Sequence, residues 1–328
     1  MLKLFTHTDL DGVGCALIAR AVMGIAVDIT FCENSKVDEE VNSFLDSDAA
    51  DDFDSIIISD LSVSRQVAER IDEAIKTSKI TCRVALLDHH VTALPLNEFE
   101  WCKVTQHIDS TSEGIHKTCG TELVFDRLTK SCPRLLPEPI MRNLETFVRS
   151  VTLWDTWDWK ENDEEGETAK KLNDLFHILG RDKFIHEMEE AIVANRKFPE
   201  FTDIQNSLLE QRQIDIDRYI KSKQSQMIKI PTQWGIAGVV FAEQYISQLG
   251  NKLCELNNDI AFAAMIDFTY NCVSLRSIET GADVSVIAKR FGGGGHAHAA
   301  GFSFDKEIRN HIADSLVKFG KFSGMSMQ

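Results

Sequence analysis

Three short apolar runs, LKLF (2–5), SIIISD (55–60) and RVALLD (83–88), are separated by two longer amphipathic stretches, GVGCALIARAVMG (12–24) and VSRQVAERIDEAIK (63–76). The short runs suit strands, and the stretches between them carry apolar residues at helical spacing. This rhythm predicts an α/β fold whose parallel sheet is covered by helices on both faces. In such a sheet ligands bind outside the carboxyl ends of the strands, so the residues that end the three runs are the first candidates for chemistry.

Helices are expected over about 118–130 and over 138–154, the latter from Ile140, Leu144, Phe147 and Val151, with the polar patch HIDSTSEG (107–114) before them. The acidic, turn-like ENDEEGE (161–167) marks the end of the first domain. From 169 to 227 the pattern is mostly helical, and 203–227 reads as one long, polar-ended helix that connects two lobes rather than entering a core. After Ile228 the pattern changes. A strand over 235–242, a helix to about Leu256, paired strands in DIAFAAMIDF and NCVSLRS, the helix ADVSVIAKRF, the run GGGGHAHAAGF and a last helix compose a smaller mixed α/β domain. The expected organisation is a parallel-sheet domain over 1–165, a helical connector over 166–228 and the second domain over 229–328, with the active-site cleft between the lobes. A length of 328 residues suits two lobes better than one core.

Charge narrows the partners. Thirty-five Lys and Arg against 51 Asp and Glu leave a formal charge of −16. Proteins that grip long nucleic acid release counterions from many phosphates with Lys and Arg, so no long duplex is expected. A small phosphorylated ligand remains compatible if bound cations supply the positive charge. Cys15, Cys32, Cys82, Cys102, Cys119, Cys132, Cys254 and Cys272 form no CxxC pair, which argues against a thiolate zinc site and for buried free thiols in a reducing cytoplasm. In MLKLFTHTDLDG the acidic residues come too soon for a signal peptide, and no apolar run approaches the roughly 20 residues a membrane span needs. A soluble cytoplasmic protein that engages no membrane is expected, and a homodimer is compatible with it.

The strand ends carry His7-Thr8-Asp9-Leu10-Asp11-Gly12, Asp60, and Asp88-His89-His90. A parallel sheet would gather them at one crevice. Two bare carboxylates about 4 Å apart repel by roughly 4 kcal/mol at an effective dielectric near 20, so a cluster must take up protons or bind cations. One Asp at a strand end is ordinarily a helix cap; three such clusters are not explained that way. Mixed His and Asp ligands without cysteine suit manganese or a similar ion. Two such ions close together can activate a water and stabilise both oxygens of an in-line displacement at phosphorus.

In this order, HTDLDG, ISD, LLDHH and RFGGGGHAHAAGF resemble the DHH phosphoesterase superfamily with its DHH-associated C-terminal domain, over most of 1–130 and 230–305. The HxDxDG form is closer to the NrnB-like oligoribonuclease (nanoRNase) branch than to the RecJ exonucleases, whose first motif usually begins with Asp. The resemblance implies two divalent ions, expected to be Mn²⁺, with His7 and Asp9 on one, Asp11 and His89 on the other, and Asp60 bridging. It also implies that Asp88 orients His89, and that His90 points at the scissile phosphate to assist charge or leaving-group protonation. For the fourth-motif aspartate, VTLWDTWDW offers Asp155 and Asp158; Asp155 is preferred because it directly ends the predicted helix. Trp154, Trp157 and Trp159 serve either as core packing or as a base-stacking wall.

Four consecutive glycines let a backbone approach a ligand and aim amides at an anion. The resemblance implies that Gly293, Gly294, Gly295 and His296 contact the far end of a nucleotide, and that Arg276 pairs with a phosphate through its planar fork. His298 falls at a variable position of the motif. His107 and His116, in the polar stretch after DHH, are candidates to line the cleft, whereas His177, His186 and His311 are expected to be solvated. The implied activity is metal-dependent hydrolysis of short single-stranded oligonucleotides to 5′-mononucleotides, with 3′-phosphoadenosine 5′-phosphate (pAp) and linear or cyclic dinucleotides as alternative substrates. An inorganic pyrophosphatase would share the crevice, but that relative lacks GGGH. A non-catalytic nucleotide sensor on this scaffold would be expected to lose metal ligands that are all present here.

Overall fold

A computed structural model of the chain describes residues 1–47, 49–110, 114–131, 136–194 and 198–322. Cys132 lies outside them; the other seven cysteines are free, four of them fully buried. The chain forms two compact units, Met1–Glu210 and Gln211–Gln328.

The first unit runs β1 (Leu2–Thr6), α1 (Leu10–Met23), β2 (Val27–Phe31), α2 (Val37–Asp46), β3 (Ser55–Ser59), α3 (Arg65–Lys76), β4 (Arg83–Asp88), β5 (Cys102–Val104), β6 (His107–Ser110), β7 (Gly114–Lys117), α4 (Gly120–Ser131), α5 (Glu138–Asp155), α6 (Asp163–Leu179) and α7 (Arg181–Val193). Five strands form a parallel sheet in the order β2-β1-β3-β4-β5. Side chains alternate across it, as the strand period requires. Leu2, Leu4, Ile57, Ala85 and Leu87 face one buried cluster with α1, α4, α5, α6 and α7. Phe5, Ile56, Ile58 and Leu86 face the other with α2 and α3. Both faces are covered, as the rhythm of the sequence predicts.

The edge strands β2 and β5 carry little sequence signal, because β2 is only partly buried and β5 is three residues long. The polar patch after the DHH triplet contributes to a hairpin, β6 paired antiparallel with β7. The acidic stretch at 161–167 opens α6 instead of turning the chain; carboxylates near a helix N-terminus are favoured by its dipole. Leu172, Leu175 and Phe176 of α6 and Phe184, Ile185 and Met188 of α7 belong to the first unit's core. These helices are therefore part of that unit rather than a separate linker.

Helix α8 (Asp203–Gln226) follows. Its Leu209 is buried in the first unit's core, and its Ile216 and Ile220 are buried in the second's, so it packs where a pure connector was expected. The second unit continues with β8 (Ile228–Thr232), β9 (Gly235–Phe241), α9 (Ile246–Leu256), β10 (Phe262–Asp267), β11 (Cys272–Arg276), α10 (Val284–Arg290), β12 (Gly294–His296), β13 (Ala299–Ser303) and α11 (Lys306–Phe322). Its mixed sheet has the order β12-β13-β11-β10-β9-β8, and β9 and β10 are its parallel pair. Among the described residues no helix is long and apolar enough to cross a membrane.

Candidate metal centre

Each acidic residue is held by the element it ends or begins. Asp9 caps α1, its Oδ1 accepting from the Gly12 N–H at 3.1 Å, and its Oδ2 lies 3.0 Å from His7 Nδ1. Asp11, in the first turn of α1, is buried and caps a different helix: the N–H groups of Gly120 and Thr121, opening α4, donate to its two oxygens at 2.6 and 2.7 Å. The Thr121 hydroxyl donates to the Asp11 carbonyl at 2.7 Å.

Asp60 leaves β3 in the left-handed region, φ 58°, which disfavours most side chains but which Asp and Asn tolerate. Its Oδ1 lies 3.4 Å from His89 Nε2 and its Oδ2 3.9 Å from His7 Nδ1. The same His89 nitrogen lies 3.6 Å from Asp11 Oδ2 and 3.5 Å from Asp155 Oδ2, on the last residue of α5. Two donor groups result, His7–Asp9–Asp60 and Asp11–His89–Asp155, with the donor atoms in each within 4.8 Å of one another. A third such group joins Asp60, His89 and His90. Asp60 reaches into both halves of the cluster.

The electrostatics of this cluster are unbalanced. Burial pushes the Asp60 carboxyl well above the usual carboxylate range, and the charges of Asp11 and Asp9 add to the shift. Asp155 is raised for the same reasons in the same order. Asp60 Oδ2 is a buried oxygen with no hydrogen-bond partner among the described residues, although buried carboxylates normally find one. Hard oxygen and imidazole donors without a thiolate fit divalent cations such as Mn²⁺ or Mg²⁺. Such ions would remove the like-charge repulsion.

Asp88 acts differently from expectation. Its Oδ1 lies 2.7 Å from His90 Nδ1 and accepts from the His89 N–H at 2.7 Å, while the Ser62 hydroxyl donates to Oδ2. The carboxylate therefore orients the ring of His90, where it was expected to orient that of His89. The reason is local: β4 ends at Asp88, and the turn after it brings the ring two residues on back over the carboxylate. Burial opposes charge on both partners, yet their pairing prevails, holding Asp88 down at about 2 and raising His90 to about 9.

The two fourth-motif candidates stand in different surroundings. Asp155 joins the cluster, whereas Asp158 is engaged by Lys117 Nζ and by the Thr156 hydroxyl in the following turn. His116 pairs with Glu122 at 2.8 Å on the hairpin side, and His177, His186 and His311 are exposed.

Ser62, Gly120 and Thr121 escaped the sequence reading. The available signal was a glycine at the start of a predicted helix, a position where close backbone approach is common. A Cβ on Gly120 would lie 2.6 Å from the Asp60 Cβ and 3.0 Å from Asp11 Oδ2. Gly120→Ala is therefore expected to cost about 1–3 kcal/mol through overpacking and to lower activity by displacing Asp11 and Asp60. Thermal melting and initial rates check this, and an unchanged melting temperature would contradict it.

In the second unit Arg276 is half-buried; its guanidinium donates to Ser247 Oγ and to the Leu275 carbonyl, both at 2.9 Å. It meets no carboxylate among the described residues, and burial lowers its pKa to about 10, which leaves it cationic at neutral pH. Gly294, Gly295 and His296 form β12, paired with β13. A Cβ on Gly293 would lie 2.1 Å from the Gly301 carbonyl oxygen, and Gly295 has φ 135°, so part of the glycine requirement comes from packing this short strand. His298 Nδ1 lies 3.1 Å from Ser277 Oγ.

No protein-family model matches the chain. It is 35% identical over 309 residues to the oligoribonuclease NrnB of Bacillus subtilis, a match covering 94% of this chain and 74% of that protein. Among solved structures, RecJ from Thermus thermophilus in complex with Mn²⁺ matches with a TM-score of 0.56 at 15% identity, over 95% of this chain and 51% of RecJ. A Vibrio pGpG-specific phosphodiesterase, PggH, matches with a TM-score of 0.50 at 12% identity, over 99% of this chain and 100% of PggH. At these identities the two structures share the fold with this chain.

Proposed function

The chain belongs to the DHH phosphoesterases, on the branch of the NrnB oligoribonuclease, and from that premise we propose that it hydrolyses short oligonucleotides to 5′-mononucleotides with two divalent cations, Mn²⁺ by its donor chemistry. One observation carries the reading: a single buried carboxylate, Asp60, offers one oxygen toward His89 and the other toward His7, between two otherwise separate donor groups. His7 and Asp9 would hold one ion, Asp11, His89 and Asp155 the other, and Asp60 both. When bound, the ions supply an activated water for in-line attack at phosphorus and offset the charge that develops there.

The chain's own groups do the rest. Asp88, 2.7 Å from Nδ1 of His90, opposes the effect of burial and raises the pKa of His90, which favours the protonated ring. The Nε2–H is then the proton it gives to the leaving oxygen, as a general acid. Ser62 fixes the second oxygen of Asp88 and with it the angle of the ring. In the second unit the uncompensated Arg276 would pair with a substrate phosphate through its fork, and Gly293, Gly294, Gly295 and His296 would contact the far end of the nucleotide. The charge of −16 favours short substrates over long ones.

The test is a panel of di- to decaribonucleotides, pAp, cyclic dinucleotides and pyrophosphate, with purified protein and Mn²⁺. The expected result is conversion of the shortest oligonucleotides to 5′-mononucleotides, with rate falling as length grows. If dinucleotides and pAp stay intact while pyrophosphate is cleaved, or nothing is cleaved at all, the reading is wrong.

A further inference from the structure

The turn that leaves the metal centre is built around three indoles. Trp154 stacks on Trp159 with ring centroids 5.3 Å apart and planes 26° from parallel, and Trp157 packs against both at 5.8 and 5.7 Å. All three are half-exposed. Trp154 touches the rim of the first unit's core, but Trp157 and Trp159 belong to none of the apolar clusters among the described residues. Core packing, the ordinary use of a tryptophan, therefore does not account for them.

The backbone adds a second observation. Trp157 is held at φ 68°, the left-handed region, where a bulky residue is an outlier and where strain marks functional turns more often than packing turns. The strain is locked in. Asp158 is held by Lys117 and by Thr156, the Asn162 amide donates to the Asp158 carbonyl at 2.8 Å, and the Trp157 N–H donates to the Trp154 carbonyl at 3.2 Å. The Lys160 ammonium sits 5.4 and 5.9 Å from the Trp157 and Trp159 ring centroids. Aromatic rings with a cation held over them offer a π-surface and a positive charge together, which suits a base and its phosphate. Its location is fixed by chain length, since Trp157 is two residues after Asp155 and two residues span at most about 7 Å.

We propose that Trp157, supported by Trp154 and Trp159, is a stacking platform for the nucleobase next to the reacting phosphate. This rests on the phosphoesterase reading above and narrows it: the substrate must carry a base at that position. Stacking on an aromatic side chain tolerates any base, because every base has a π-face.

Two readouts separate the platform from the reaction. In the first, which needs no turnover, 5′-AMP should quench indole fluorescence while ribose 5-phosphate should not, and Trp157→Ala should lose that difference while Trp157→Phe keeps most of it. In the second, Trp157→Ala should raise KM for a diadenylate roughly 10-fold with kcat within about two-fold, and should leave KM unchanged for the same dinucleotide lacking its bases. Equal quenching by both ligands, an unchanged KM, or an equal loss on both substrates would overturn the platform. Should Trp157→Ala not melt cooperatively, the wild-type comparison decides: equal KM for the based and abasic dinucleotides refutes the platform. Base-selective quenching without hydrolysis of either substrate would leave the platform standing and sink the phosphoesterase reading instead.

Discussion

Asp60→Asn is expected to abolish hydrolysis and, in the presence of a chelator, to raise the melting temperature. The two effects have one cause. In the metal-free protein burial and the charges of Asp11 and Asp9 oppose ionisation of Asp60, so the folded chain must either hold the proton or bear the repulsion, which for two unit charges about 5 Å apart is roughly 3 kcal/mol at an effective dielectric near 20. Asparagine keeps the shape, tolerates the left-handed backbone at φ 58°, and removes the charge. A relief of about 1–3 kcal/mol corresponds to roughly 3–8 °C for a unit of this size.

The pH dependence has a definite sign. A carboxyl whose folded pKa is raised contributes no penalty below the ordinary carboxylate range, and the folded state loses stability as pH rises above it. The advantage of Asp60→Asn over the wild type should therefore widen from pH 5 to pH 8. Without the carboxylate proposed to serve both ions, kcat should fall roughly 10³-fold or more, since metal-ion stabilisation of a phosphoryl transition state is worth several kcal/mol. Melting curves with chelator and with Mn²⁺, read beside initial rates, check all of this. A lower metal-free melting temperature, or activity above a tenth of wild type, would contradict it.

The second large effect separates neighbouring histidines. His90→Ala should lower kcat by roughly 10²–10⁴-fold, the usual contribution of a general acid, and leave Mn²⁺ affinity within a few-fold. His89→Ala should lose both, because its Nε2 lies within 3.6 Å of oxygens from Asp11, Asp60 and Asp155. Asp88→Asn removes the carboxylate that raises His90, so the alkaline limb of the rate profile should move toward neutral pH in that variant. Metal titration by calorimetry, with pH–rate profiles, distinguishes these outcomes. Equal loss of Mn²⁺ affinity in His89→Ala and His90→Ala would show that His90 acts as a ligand and not as the acid.

The strands that lead into the cluster were legible because each is a short apolar run followed at once by a candidate ligand or its acidic neighbour: Thr6 before His7, Ser59 before Asp60, Leu87 before Asp88. The period-2 alternation that divides Ile57 from Ile56 and Ile58 across the sheet follows from strand geometry alone. The edge strands β2 and β5 were not legible, being half-exposed or too short to leave a pattern. Only the start of helix α6, before Ala169, was hidden by its acidic opening, which resembles a turn in composition but is what a helix N-terminus favours.

The sequence by itself determined which residues could ligate and that a parallel sheet would gather them, because residue type and strand position are local properties. What only the tertiary structure decided is which atom meets which. Asp11 caps a helix that starts 109 residues later, Asp88 meets the ring of His90 but only the backbone N–H of His89, and Asp155, not Asp158, lies beside His89. These outcomes depend on where α4, α5 and the turn after β4 settle against the sheet. That placement is set by the packing of distant apolar side chains, which leaves no mark on the residues it brings together.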